Sequence, residues 1–97
     1  MFSITHAGKR QLEAYIDDLE YNAVPTVVWS INHESGYGGW IIGFIEAEKI
    51  PPGMRSFVHE IDNIEFLIDG PGEYMPLLDQ AVLDCENGRL KFLLVER

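Results

Sequence analysis

Basic residues and cysteine are scarce in this sequence. Seven of its 97 residues are Lys or Arg against 16 Asp or Glu, so the formal net charge is −9. Nucleic acids and anionic membranes are recognised through clustered cations, and this deficit argues against both as partners. A basic protein surface or a cation suits the chain better, although charge of this sign also serves solubility. There is one cysteine, Cys85. A single thiol closes no internal disulfide and supplies no multi-cysteine zinc or cluster site. No apolar run approaches the roughly 18 residues that suggest a membrane span. The opening Met1-Phe2-Ser3-Ile4-Thr5-His6 turns polar too early for a signal peptide. The expected location is cytoplasmic.

Hydrophobic residues make up 46% of the chain, enough for a packed core in one domain spanning 1–97. A domain this small buries a limited fraction of its surface, so a homodimer that covers leftover apolar area is expected.

Phe2 to Ile4 suggest a short leading strand. Thr5 offers an N-cap hydroxyl, and Leu12, Tyr15, Ile16 and Leu19 recur at helical spacing, which predicts a helix over 6–19. Asn22 and Pro25 mark its exit and the following turn. From Thr26 the period changes to alternation, with Val27, Trp29 and Ile31 on one side of a strand. The stretch from Asn32 to Gly39 interrupts it with Gly36, Gly38 and Gly39, and Trp40 to Ile45 resume as a second strand. Lys49 to Gly53, with its two prolines, is a turn.

Ser56–His59 and Ile64–Ile68 are expected strands, split near Asp62-Asn63. Glu73 to Leu78 suggest a short helical turn directing Tyr74, Leu77 and Leu78 inward. Ala81–Glu86 and Leu90–Val95 flank Asn87-Gly88, the dipeptide that favours the type I′ turn of a tight hairpin. The fold class expected is α+β and β-rich: an N-terminal helix followed by six or seven short strands.

Several of these segments carry a family resemblance. Ile4-Thr5-His6-Ala7 resembles the strand and helix start of HesB/IscA-like (A-type) iron–sulfur biogenesis domains. Ile64 to Asp69, then Pro76 to Gln80, then Val82 to Gly88 resemble that family's strand ending in Asp, short turn with leucine, and L-D-Y-x-x-G hairpin. The resemblance spans nearly the whole chain. It implies a β-clip-like fold and a tendency to dimerise. Cluster-carrying members use a cysteine in the glycine-rich loop and two in a C-terminal C-G-C segment. Here Glu34 stands about where the loop cysteine would fall, and the sequence reaches Arg97 without the C-terminal pair. Cys85 takes a position where the family often has tyrosine, so it inherits no ligand role. The resemblance thus implies the fold without the cluster chemistry.

The remaining candidates follow from residue chemistry. His33 and Glu34 are the nearest thing to metal ligands in the loop, but adjacent residues of an extended stretch point apart, and a site needs three or four converging groups. Neither a metal nor a cofactor is assigned. The glycine-rich segment lacks the Lys-Ser/Thr ending of a phosphate cradle, and a tight turn accounts for its glycines. Asp84 and Glu86 beside Cys85 disfavour a thiolate. Ser30, Ser35 and the three histidines form no nucleophile motif. Tyr37 and Trp40 beside flexible glycines are the expected partner contacts. The function expected is therefore a non-enzymatic interaction or accessory protein, linked through a protein partner to iron–sulfur or sulfur metabolism. The alternative is a metal-binding accessory protein using His and carboxylate ligands in place of the cysteines.

Overall fold

The structure, a computed structural model, describes residues 1–31 and 38–94. Among them the chain is α+β and strand-rich, with an N-terminal helix and seven strands in two sheets. Strands β1 (Ser3–Ile4), β6 (Ala81–Glu86) and β7 (Arg89–Leu94) form one sheet in the order β1-β6-β7. The other contains β2 (Ala23–Ile31), β3 (Gly38–Glu46), β4 (Val58–Ile61) and β5 (Ile64–Asp69), ordered β3-β2-β5-β4. The pairs β1–β6 and β2–β5 are parallel, and the other pairs are antiparallel.

Helix α1 (His6–Asp18) starts where a side chain can cap it: Thr5 Oγ1 accepts the Gly8 amide at 3.0 Å. Leu12, from the expected apolar stripe, is wholly buried. Tyr15 lies at the margin, its ring against Phe44 and its hydroxyl donating to the Gly88 carbonyl at 2.8 Å. Gly8 brings the helix onto β6 so closely that a Cβ there would sit 2.5 Å from the Leu83 carbonyl oxygen.

Two hairpins turn on residues with positive φ. Asp62 and Asn63 have φ of 52° and 66°, and Asn87 and Gly88 have 53° and 76°, the pattern of two-residue loops whose twist matches the strands. Alternation within the four-stranded sheet then sorts its faces. Val27, Trp40, Phe66 and Ile68 face the main core with Leu12, Leu78 and Leu83. Val24 and Leu67 face the other way, where Ile50 and Met54 cover them. Phe2 joins the two sheets, meeting Phe66 of β5 and Phe92 of β7 edge-on at 5.2 and 5.1 Å.

Three expectations need correction. Pro25 does not end an element; it lies within β2. The Ala47 amide bonds the Asn22 carbonyl at 2.8 Å, which assigns the bonds toward β3 to even-numbered residues of β2. The nitrogen of Pro25 therefore points to the other side, where β5 pairs only from Thr26 onward, and no ladder bond is lost. The strand expected at Ser56–His59 begins at Val58, because a 3-10 turn over Pro52–Phe57 occupies its first half. Leu77 points outward and is 43% exposed; within α2 (Met75–Asp79), Leu78 is the side chain that is buried. No helix among the described residues is long and apolar enough to cross a membrane.

Candidate functional site

The site grows from one cross-strand pair. Trp29 and Trp40 are register partners on β2 and β3. Their position falls between the hydrogen-bonded rungs, where side chains of opposite strands lie closest. The two indoles meet edge-to-face at 5.5 Å with planes 76° apart. The far face of the pair is held by Tyr74, from the 3-10 turn Gly72–Tyr74 that leads into α2. Trp29 stacks flat on the Tyr74 ring, 4.0 Å apart and 6° from parallel. Trp40 Nε1–H donates to the Tyr74 carbonyl at 3.1 Å, which satisfies the polar end of a largely buried indole. Both rings press on glycine: a Cβ at Gly38 would overlap the Trp29 ring, and one at Gly70 would overlap Trp40. Three aromatic side chains from separate segments are thereby fixed in one arrangement.

Beside them lies a cavity of about 150 Å³ lined by Trp29, Gly38, Gly39, Trp40, Leu77, Ala81 and Phe92. None of these side chains titrates near neutral pH. Ala81 is buried, while Leu77 stands exposed. An apolar space of this volume accommodates about one benzene ring, and burying a Leu or Phe side chain in such a place contributes roughly 1.5–3 kcal/mol. The arrangement offers shape and apolar surface, with aromatic walls already in position before anything binds.

Of the residues expected to matter, Gly38 and Gly39 line this cavity, but from β3, where they pair with Ile31 and Ser30, and not from the expected loop. Trp40 lines it too, but as a wall: at 8% exposure it belongs to the core and does not project as a surface contact. Gly36, Tyr37, His33 and Glu34 lie outside the described residues. Trp29, Leu77, Ala81 and Phe92 were not singled out by sequence. For Trp29 a signal existed, since a hairpin joining 26–31 to 40–45 sets one tryptophan opposite the other. Leu77 and Phe92 come from distant segments that only the tertiary fold brings here.

Elsewhere the titratable groups are dispersed. His6 opens α1 and His59 lies on β4, both exposed. Among the described residues no three His, Cys, Asp or Glu side chains gather closely enough to hold a metal. The half-buried Cys85 thiol donates weakly to Gln11 Oε1 at 3.8 Å. Asp84 has a displaced pKa. The Thr5 hydroxyl donates to it at 2.5 Å and the Cys85 amide at 2.8 Å, and together they hold it below the ordinary carboxylate value. That network ties the helix cap to β6. In comparisons with known proteins, no family model and no curated sequence matches the chain.

Proposed function

We propose that this chain is a non-enzymatic interaction protein on a HesB/IscA-like scaffold of β-clip type, binding a protein partner through the aromatic-walled cavity. Through that partner it serves iron–sulfur or sulfur metabolism. The observation that carries the binding role is the cavity itself: about 150 Å³, walled by Trp29, Trp40 and Phe92, with no titratable side chain among the described residues that line it. A pocket without a proton donor or nucleophile is suited to holding an apolar group. The scaffold reading rests on the strand-and-helix opening at Ile4 to Ala7 and the hairpin at Val82 to Gly88.

The chain has two tryptophans, and both line the cavity, so selectively excited tryptophan emission reports on this site. Titration with a compact, non-absorbing apolar probe such as cyclohexanol should change the tryptophan emission saturably. Leu77→Asp, which adds a charge at an exposed lining position, should weaken that response while leaving the fold intact. A linear, non-saturating change that is the same in both proteins would remove the reading.

A further inference from the structure

Strand β3 ends the four-stranded sheet, and β7 ends the three-stranded one. Among the described residues, no ladder joins the two or pairs with either free edge. In β3, Gly39, Ile41, Gly43 and Ile45 are the hydrogen-bonded partners of β2. Trp40, Ile42 and Phe44 therefore turn their N–H and C=O groups away from it. The parity of β7 follows from Leu83, whose carbonyl accepts the Thr5 amide on the β1 side. Its register partner Phe92, and with it Leu90, point their backbone groups away from β6. The two edges run antiparallel to one another. Trp40 and Phe92 share the cavity at one end, and at the other Phe44 meets Tyr15, whose hydroxyl donates to the Gly88 carbonyl. Between them lies a groove of about 320 Å³ lined by Trp40, Ile41, Ile42, Leu90, Lys91 and Phe92. Trp40 and Phe92 line both the groove and the cavity, so the two spaces adjoin.

From this we infer that an extended segment of the partner adds to the free edge of β3 as a strand, with one apolar side chain entering the cavity at the Trp40 end. The inference rests on the cavity being the binding site and adds the backbone conformation of what binds there. A row of N–H and C=O groups at every second residue is matched by the backbone of another strand. Edges that avoid further pairing are short, bulged, or carry Pro and charge. β3 has none of these devices: its nine residues pair with β2 without a bulge, contain no Pro or Lys, and carry one charge, Glu46 at the far end. β7 has six residues and carries Arg89 and Lys91, so it walls the groove and is the poorer template. Alternation places every second side chain of the added strand on the core side, where the cavity takes the one nearest Trp40. The others lie beside the exposed Ile41 on the outer face.

The test uses a seven-residue peptide of alternating Thr and Val with a central Phe, and binding is read from tryptophan emission, to which the peptide contributes nothing. Methylating its second, fourth and sixth amide nitrogens removes the donors along one edge of the strand. Methylating the third, fifth and seventh removes those along the other. One pattern should weaken binding by about tenfold or more, given about 2–12-fold for each hydrogen bond lost. The other should leave it nearly unchanged. Amide hydrogen exchange reads the protein side: in the free protein the Ile42 amide should exchange faster than those of Ile41 and Gly43, which bond to β2, and the peptide should slow it.

Equal loss, or no loss, from the two methylation patterns would overturn strand addition to β3 while leaving the cavity as the site. An Ile42 amide that the bound peptide does not slow would do the same. Slowing that rises with protein concentration alone would give the edge to a second copy of the chain and overturn the partner segment. Replacing the central Phe with Ala should weaken binding, and equal affinity for the two peptides would overturn the cavity reading itself.

Discussion

Replacing Gly8 with alanine sets two well-known effects against each other. In an isolated helix, Gly→Ala stabilises by about 1 kcal/mol, because alanine has less backbone freedom to lose. Gly8 lies inside α1, so propensity alone favours the substitution. The structure reverses that sign. The new methyl would sit 2.5 Å from the Leu83 carbonyl oxygen, 3.1 Å from its carbon and 3.2 Å from Asp84 Cα. All three are backbone atoms of β6, so no side chain can rotate away, and α1 must retreat from the strand. Retreat loosens Leu12, which is fully buried, and strains the Thr5 amide bond to the Leu83 carbonyl, 3.0 Å long. Overpacking of this kind costs about 1–3 kcal/mol, occasionally more. With rigid backbone on all three contacts the upper part of that range applies, about 2–3 kcal/mol, and after the helix gain is subtracted Gly8→Ala should be destabilising by about 1–2 kcal/mol. For a domain of this size that corresponds to a fall in Tm of roughly 4–15 °C. Thermal unfolding followed by far-UV circular dichroism, with urea unfolding to check that m is unchanged, measures it. A Tm equal to or above the parent's would refute the close helix–strand contact.

Two further substitutions examine the cap network and the aromatic clamp. Thr5→Ala removes the largest cause of Asp84's low pKa, so the carboxyl should titrate closer to its ordinary value of 3.8, as followed by carboxyl NMR. The folded-state value is depressed, so the stability it confers is complete above about pH 4 and is lost as pH falls through the lowered pKa. At neutral pH the same variant should lose about 1 kcal/mol with the cap, and an unchanged Asp84 titration would contradict the network. Gly38→Ala places a methyl in the Trp29 ring and should break its stack on Tyr74, at a cost of about 1–3 kcal/mol. The near-UV circular dichroism of the tryptophans should diminish with it, and an unaltered spectrum would count against the clamp.

Local chemistry made much of this fold legible. Thr5 followed by apolar residues at helical spacing located α1 to within a residue of its end, and Asn87-Gly88 located the last hairpin, because caps and turns are decided by adjacent residues. What sequence missed depended on partners far along the chain. Pro25 reads as a breaker until one knows that β5 does not reach it. Leu77 and Leu78 are chemically alike, and only packing of α2 decides that Leu78 is buried and Leu77 exposed. The site divided in the same way. The glycines at 38 and 39 and Trp40 were visible as a motif, but the motif suggested a surface contact patch. The Tyr74 carbonyl, 34 residues on, supplies the hydrogen bond that lets the Trp40 indole be buried as a wall. Phe92 completes the cavity from the opposite sheet.

The central claim is that a preformed apolar cavity beside the two tryptophans is the binding site. Crystals of the protein pressurised with xenon test it directly, since xenon settles in dry apolar cavities of about this size. The account predicts one ordered xenon atom between Trp29, Trp40, Leu77 and Phe92, with those side chains unmoved. Xenon bound elsewhere with this space unfilled, or a side chain found occupying it, would contradict the account.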